Sequence, residues 1–254
     1  MVTVADTAFS IAVVRAEEGN RPEDERLFLD PYANLFAAAG THAAEATQRF
    51  LDLPCFREGV RLRTRFIDDA VRDGLNAGLR QLVILGAGFD MRGLRLPEVE
   101  RNGVAVFEID TPEQMDRKAT VLADAGVILP TTNVYVPFSF DEPAFEQRLA
   151  AALEERGFRE GVGAMFVWKG VIGYIDAEAI NRSLRFMARI GGSGARLVFT
   201  YGFLSFDPEG AEAHVLRAGF STFEELGIDE VWKRHMPGEP HPAASSVKMG
   251  TARV

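Results

Sequence analysis

Apolar and charged residues recur at helical spacing through the first quarter of the chain. This pattern predicts helices over Thr7–Glu18, Ala43–Phe50 and Arg61–Ala77, and the last of them carries an apolar face. We therefore predict that residues 1–78 form a mostly helical segment.

The pattern changes after this segment, where short runs rich in β-branched and aromatic residues alternate with helical stretches. The predicted strands are Gln81–Leu85, Val104–Ile109, Asn133–Phe138, Met165–Trp168 and Arg196–Tyr201. The predicted helices between these strands are Pro112–Ala125, Pro143–Arg156 and Ala177–Ile190. In the tail we predict a helix near Ala211–Arg217 and a strand over Ser246–Val254. Such alternation is typical of a doubly wound, mostly parallel sheet. We therefore predict an α/β fold with a Rossmann-like core over residues 79–254, joined with residues 1–78 into one compact unit.

Composition narrows the class of protein. With 37 acidic against 28 basic residues, the net charge of −9 argues against a dedicated nucleic-acid-binding protein. The single cysteine cannot form an internal disulfide, and no spaced Cys and His residues indicate a metal site. No apolar run approaches the roughly 20 residues of a membrane span, and the first residues lack the pattern of a signal peptide. We expect a globular, cytoplasmic protein with no metal, no nucleic-acid partner and no membrane partner.

A glycine-rich turn follows the first predicted strand. Gly86 and Gly88 permit a tight turn and a close approach of the backbone to a ligand, although tight packing within an α/β unit also favours glycine. The next strand ends with Glu108 and Asp110, about 20 residues later, where a carboxylate can accept hydrogen bonds from ribose hydroxyl groups. The spacing therefore indicates a cofactor that contains a nucleoside.

Two residues of the turn distinguish between dinucleotides and S-adenosylmethionine. The dinucleotide pattern has a third glycine where this chain has Met91, and it places pyrophosphate where Asp90 would repel it. A carboxylate at this position suits the amino group of a methionine moiety instead. The alternative role for Asp90 is to cap the following helix.

These features together resemble the leucine carboxyl methyltransferase family and its bacterial O-methyltransferase relatives. The matching segments are Thr7-Ala8 to Arg15-Ala16, Asp30–Ala33, Arg63–Asp69, Val83–Leu96, Val106–Lys118 and Phe166–Trp168 with Tyr174. The resemblance implies the Rossmann-like fold of a class I methyltransferase with an N-terminal helical cover. It also implies S-adenosylmethionine as the cofactor and a small molecule as the methyl acceptor.

The resemblance assigns roles to individual positions. Arg63 corresponds to the arginine that binds the methionine carboxylate, the alternative being a surface arginine of a helix. Arg15 is a second candidate for this contact, and Arg92 corresponds to a residue that pairs with a carboxylate and stiffens the loop. Asp110 corresponds to the ribose-binding acid, while Glu108 either contacts the cofactor or is satisfied at the edge of the core. The residues that correspond to the cofactor loop are Gly86, Ala87, Gly88 and Asp90.

The chain departs from the family pattern at three positions. Met91 replaces a threonine at the start of a helix, and Ser139 replaces the aspartate that faces the adenine amino group. Ser139 can still accept a hydrogen bond, and we include it with its neighbour Phe140 in the predicted cofactor site. Lys169 stands where the family has a glutamate beside the cofactor. Its ammonium would be repelled by a sulfonium, so we expect Lys169 to turn away or to meet an anionic partner.

The sequence specifies the methyl acceptor in less detail than the cofactor. We hypothesise that Lys169 orients an anionic acceptor, the alternative being a lysine whose ammonium reaches solvent. Tyr174 matches a polar residue of the family's active site, although a buried, hydrogen-bonded tyrosine is an equal alternative. His214 and His235 are candidate general bases. A carboxylate acceptor needs no base at neutral pH, whereas a phenol benefits from one.

The predicted function is S-adenosylmethionine-dependent O-methylation of a small-molecule carboxylate or phenol. A protein that binds S-adenosylmethionine without catalysis is the first alternative, and an NAD-dependent oxidoreductase is the second.

Overall fold

A seven-stranded sheet forms the centre of the computed structural model, which describes residues 4–40, 44–139, 144–202 and 205–254. The strands are β1 (Gln81–Leu85), β2 (Ala105–Asp110), β3 (Asn133–Pro137), β4 (Met165–Trp168), β5 (Arg196–Gly202), β6 (Thr222–Gly227) and β7 (Val247–Arg253). Their order across the sheet is β3-β2-β1-β4-β5-β7-β6. The first five strands pair in parallel, whereas β7 is antiparallel to both β5 and β6. The prediction of a mostly parallel α/β sheet is confirmed.

Helices surround the sheet. Those before β2 are α1 (Val4–Gly19), α2 (Ala33–Ala39), α3 (Ala44–Leu51), α4 (Phe56–Asn76), α5 (Arg92–Arg95) and α6 (Pro97–Arg101). Those after β2 are α7 (Pro112–Asp124), α8 (Phe145–Glu154), α9 (Ala177–Gly191), α10 (Ala211–Arg217) and α11 (Ile228–His235), with short 3-10 helices at Ile172–Tyr174 and Pro242–Ser246. Within the described ranges, no helix has both the length and the apolar character to cross a membrane.

Alternate side chains of each strand enter two separate cores, because successive residues of a strand point to opposite faces. On one face, Val83, Phe107 and Phe166 pack with apolar residues of α8, α9 and α10. On the other face, Leu82, Ile84 and Val167 pack with apolar residues of α4, α6 and α7. The helix α4 therefore shares a core with the sheet, although it belongs to the segment 1–78 that we separate by sequence.

Most predicted elements are present, and the differences are short helices in the first half of the chain and two elements near its end. The helices α2 and α6 were not predicted. The strand β6 and the helix α11 that follows it have no counterpart in the prediction. Most of β6 is only partly buried or exposed, and it carries Glu224 and Glu225, so it lacks the apolar pattern that marks a strand. The predicted start of a helix at Pro143 lies outside the described residues.

The order of the strands reverses at β1, which has β2 on one side and β4 on the other. In open α/β sheets, ligands bind beyond the carboxyl ends of the strands at this switch point. The loop Gly86–Asp90 leaves β1 there, and Lys169 leaves β4 directly beside it. The topology thus brings the predicted cofactor loop and the unexpected lysine to one place.

A buried ion pair connects β2 to α7. Glu108 and Lys118 are both fully buried, and the Lys118 ammonium donates to the Glu108 carboxylate. Asn133 donates a second hydrogen bond to Glu108 over 3.3 Å. Burial raises the pKa of Glu108, and Lys118 and Asn133 act in the opposite direction. Of the two alternatives for Glu108, this arrangement favours a residue satisfied inside the core over direct contact with the cofactor, because its side chain is fully buried and both of its oxygens accept hydrogen bonds.

We predict that Lys118→Met destabilises the protein by about 3–5 kcal/mol, because the substitution leaves the carboxylate of Glu108 buried without its cation. Urea denaturation measures the free energy of unfolding. The control is Lys233→Met on α11, where the lysine is exposed and little change is expected.

A double variant tests the reason for this loss. Replacing both members of a buried pair by apolar residues of similar volume removes the unpaired charge. The variant with Glu108→Met and Lys118→Met is therefore expected to regain more than half of the lost stability. Equal loss in the single and double variants would contradict the role of the buried charge.

Candidate functional site

The glycine loop after β1 has the backbone conformation that glycine favours. Gly86 and Gly88 have φ values of 64° and 51°. A Cβ atom on Gly86 would lie 2.1 Å from Cγ2 of Val171, so the loops after β1 and β4 approach each other closely there. A Cβ atom on Gly88 would meet no atom within 4 Å. Gly86 is therefore required for packing, and Gly88 faces open space.

Aromatic side chains fix the end of this loop against the N-terminal helices. The ring of Phe89 stacks on Phe36 of α2 at 4.5 Å and lies 5.1 Å from the ring of Phe9 on α1. Met91, which we identified only as a departure from the family pattern, is fully buried in the same apolar cluster. The sequence signal for this contact was the apolar character of both loop residues, which alone does not identify their partners.

Two cationic side chains bind the carbonyl groups of the loop. Arg15 of α1 donates to the Phe89 carbonyl over 2.9 Å and to the Asp30 carboxylate over 2.8 Å. Lys118 donates to the Asp90 carbonyl as well as to Glu108. Arg15 is therefore committed to the loop and to Asp30, so the structure favours a positioning role over direct contact with a ligand.

The carboxylate of Asp90 lies at the centre of the site and is almost completely buried. It accepts the backbone N–H of Arg92 over 2.9 Å and pairs with the Arg92 guanidinium. Burial alone would raise the pKa of Asp90, but Arg92, Lys169 and Arg15 together hold it well below its ordinary value. The predicted pairing of Arg92 with a carboxylate is confirmed, and Asp90 also contacts the start of α5, as the capping alternative proposed.

Sequence reasoning gave no role to Asp68, which is fully buried on α4. It accepts hydrogen bonds from Arg92 over 2.8 Å and from Arg95 over 2.6 and 2.7 Å. Burial would raise the pKa of Asp68, but these two arginines lower it. A signal was available, because Asp68 shares the apolar face of α4 with Val71 and Leu75 at helical spacing.

Arg63 lies half-buried on α4 beside this network. Burial and, to a smaller extent, repulsion from the nearby Arg92 and Arg15 lower its pKa to about 10. Within the described part of the chain, Arg63 has no carboxylate within ion-pair distance, in contrast to Arg15 and Arg92. A largely desolvated guanidinium without a counter-ion is a favourable place for an anionic group.

Lys169 meets an anionic partner, which is one of the two outcomes expected for it. Its ammonium lies 3.2 Å from Oδ2 of Asp90, and 19% of its side chain is exposed. The pKa of Lys169 is lowered to about 8, because burial and the nearby Arg92, Arg15 and Arg63 lower it more than Asp90 raises it. The lysine ammonium therefore lies next to the carboxylate that we predict to bind the amino group of the cofactor.

The carboxylate of Asp110 lies at the end of β2 and is oriented by the backbone. It accepts the N–H of Gly88 over 2.7 Å and the N–H of Thr111 over 2.8 Å. Burial raises the pKa of Asp110, and these two hydrogen bonds partly offset the rise. Asp110 thus connects the glycine loop to the end of β2, and the two hydrogen bonds fix the orientation of its carboxylate.

Ser139, Phe140 and Tyr174 are the remaining predicted site residues. Ser139 is half-buried, and the N–H of Phe138 before it donates to the Asp110 carbonyl over 2.7 Å. Phe140 lies outside the described residues. Tyr174 is 53% exposed, so the alternative of a buried tyrosine is wrong. Its hydroxyl lies 3.4 Å from Oγ1 of Thr7 on α1.

The two candidate histidines lie on other parts of the surface. Nδ1 of His214 lies 2.7 Å from Oδ1 of Asn181, where α10 meets α9. Burial lowers the pKa of His235 at the end of α11, where Arg65 of α4 also acts on it. Neither contact involves the cofactor loop, so the structure gives no support to a role as general base.

Comparison with known proteins identifies the family. Residues 8–188 match the family described as leucine carboxyl methyltransferase. A protein of Mycolicibacterium smegmatis, named as a candidate S-adenosyl-L-methionine-dependent methyltransferase, is 36% identical over 217 residues, covering 77% of this chain and 66% of the relative. A similarly named protein of Frankia alni is 34% identical over 229 residues, covering 88% of this chain and 78% of the relative. The chain thus spans about two thirds of the length of the first relative.

The fold agrees with this assignment. A crystal structure of a candidate methyltransferase from Thermobifida fusca superimposes with a TM-score of 0.54 at 13% sequence identity, covering 82% of this chain and 88% of that one. This similarity concerns the fold alone. The match over residues 8–188 and the identity to these relatives show that the chain belongs to the leucine carboxyl methyltransferase family of S-adenosylmethionine-dependent methyltransferases.

Proposed function

We propose that this chain transfers a methyl group from S-adenosylmethionine to an oxygen atom of a small molecule, with a carboxylate as the favoured acceptor. The observation that carries this proposal is the guanidinium of Arg63, which has no carboxylate within ion-pair distance among the described residues and lies near Arg92 and Arg15 of the loop's network. A bound methionine carboxylate would supply the missing counter-ion. The same guanidinium would be costly to desolvate without such a partner.

Other residues fit the remaining parts of the cofactor. The open space at Gly88 allows a ligand to approach the backbone, and the adjacent Asp110 carboxylate keeps acceptor capacity for ribose hydroxyl groups. Ser139 follows β3 on the side of Asp110 and stays the predicted contact for adenine. These positions follow the order of the cofactor's own parts, from the methionine end at Arg63 to the adenine end.

S-adenosylmethionine, when bound, supplies an electrophilic methyl group. The tasks left to the chain are to orient an acceptor oxygen in line with that methyl group and to exclude water. Tyr174 and Thr7 lie face to face, with Tyr174 close enough to Arg63 to influence its pKa. We therefore infer that the acceptor enters between α1 and the 3-10 helix that carries Tyr174.

The charge around the site favours an anionic acceptor. Among the cations near Asp90, Arg63 and Lys169 have the fewest hydrogen-bond and ion-pair partners in the described part of the chain. A carboxylate would reduce this positive excess and would need no general base at neutral pH. A phenol stays the alternative, and the cytoplasm stays the compartment predicted from the composition.

We predict that Arg63→Met weakens the binding of S-adenosylhomocysteine about tenfold or more, because charge-assisted hydrogen bonds to the carboxylate are lost. Isothermal titration calorimetry measures the dissociation constant. The stability of the variant is expected to be unchanged or higher, since Arg92 and Arg15 no longer face a third cation. The control is Arg72→Met, which removes a partly exposed ion pair with Asp69 on the same helix.

The opposite pattern would contradict the role of Arg63. Unchanged affinity for S-adenosylhomocysteine with lower stability would show that the guanidinium serves the fold alone. Tight binding of NAD without binding of S-adenosylhomocysteine would contradict the cofactor itself.

We predict that Gly88→Ala weakens binding of S-adenosylhomocysteine about tenfold or more, because the new methyl group enters the space predicted for the ligand. The matched control is Gly103→Ala, which has a similar φ of 60°, equally open space and a position before β2, at the opposite end of the strand from the site. Each substitution is expected to cost about 1 kcal/mol of stability from backbone strain. Equal affinities in the two variants would show that no ligand approaches Gly88.

We predict methylation of carboxylates in an acceptor panel that pairs each carboxylic acid with its amide and with a phenol of similar size. At saturating cofactor, Lys169→Glu is expected to raise the KM for carboxylates about tenfold or more and to change the KM for phenols less. The measurement is the rate of S-adenosylhomocysteine formation. Unchanged acceptor selectivity would contradict the role of Lys169, and cofactor binding without turnover across the panel would favour a non-catalytic binding protein.

A further inference from the structure

The described residues around the loop carry more positive than negative charge. The cations are Arg15, Arg63, Arg92, Arg95, Lys118 and Lys169, and the carboxylates are Asp30, Asp68, Asp90, Glu108 and Asp110. Under the proposed function the ligand's carboxylate pairs with Arg63, so its ammonium group has to fit among cations that already outnumber the carboxylates. A ligand ammonium therefore binds most favourably when one of the protein's own cations moves away.

Lys169 is the cation that can move. Only 3% of the Arg92 side chain and 6% of the Arg15 side chain are exposed, and both guanidinium groups bind further carboxylate or carbonyl groups. Lys169 is 19% exposed, and the ion pair with Asp90 joins it to the cluster at 3.2 Å. Its flexible side chain extends from the end of β4, where Gly170 follows with a φ of 67°.

Asp90 has little capacity for an additional partner. Its Oδ1 accepts the N–H of Arg92, and its Oδ2 contacts both the Arg92 guanidinium and the Lys169 ammonium. Because the carboxylate is 99% buried, a second ammonium cannot reach it from another side through solvent. The place next to Oδ2 thus holds one ammonium at a time.

We propose that the Lys169 ammonium occupies the cofactor's ammonium site in the ligand-free protein, and that cofactor binding exchanges one ammonium for the other. This inference rests on the proposed function. Both groups stay protonated, so the exchange keeps the charge next to Asp90 constant. Lys169, once displaced, becomes available to an anionic acceptor, which explains how one residue can serve the acceptor although it binds Asp90 in the absence of ligand.

The test compares S-adenosylhomocysteine with its analogue lacking the amino group, using calorimetry on the wild-type protein and on Lys169→Met. In the wild-type protein, Lys169 stays on Asp90 when the analogue binds, so the loss of the amino group is expected to weaken binding less than about threefold. In Lys169→Met, Asp90 depends on the ligand's ammonium, and the same loss is expected to weaken binding about 30-fold or more. S-adenosylhomocysteine itself is expected to bind the variant more tightly than the wild-type protein.

Controls distinguish the possible failures. Lys233→Met, which removes an exposed lysine of α11, is expected to behave as the wild-type protein. Lys169→Gln is a second neutral variant for use if Lys169→Met does not fold, as judged by thermal unfolding. Equal weakening in the wild-type and variant proteins would overturn the exchange and leave the proposed function intact. Absence of binding by both folded proteins would overturn the proposed function and the exchange with it.

Discussion

The buried carboxylate of Asp90 is the constraint on which the site depends. An ionised carboxylate with almost no contact with water is stable only where cations and hydrogen-bond donors replace its hydration. Arg92 provides the strongest of these contacts, and Asp68 of α4 holds Arg92 in place. The loop after β1, the helix α4 and the end of β4 are thereby joined around a single negative charge.

The cations around Asp90 divide into two groups with different consequences. Arg15, Arg92 and Arg95 bind carboxylates or carbonyl groups of the protein and therefore fix the loop to α1 and α4. Arg63 and Lys169 are less completely paired among the described residues, and burial together with repulsion from neighbouring arginines lowers the pKa of each. Positive charge that the fold does not neutralise is available to a ligand, which is why the proposed contacts with the cofactor and the acceptor involve these two residues.

Some elements and site residues could be predicted because a local pattern specifies them. The buried runs at β1 and β4 have the predicted bounds. The edge strand β6 escaped prediction because a strand with little burial needs no apolar alternation. The role of Glu108 was undecided for a related reason. Its carboxylate is equally compatible with ribose and with Lys118, and only their distance in the fold decides between them.

The sequence by itself determined the α/β class, the position of the glycine loop and the family to which the chain belongs. These properties depend on periodicity and on short motifs whose residues are neighbours in the chain. Only the tertiary structure decided that Lys169 binds Asp90, that Arg63 has no ion-pair partner in the described part of the chain, and that Glu108 pairs with Lys118 in the core. Each of these results concerns charged groups that lie far apart in the sequence. Their interaction depends on the distance between them and on their burial, and the packing of α4, β2 and β4 sets the distance and the burial.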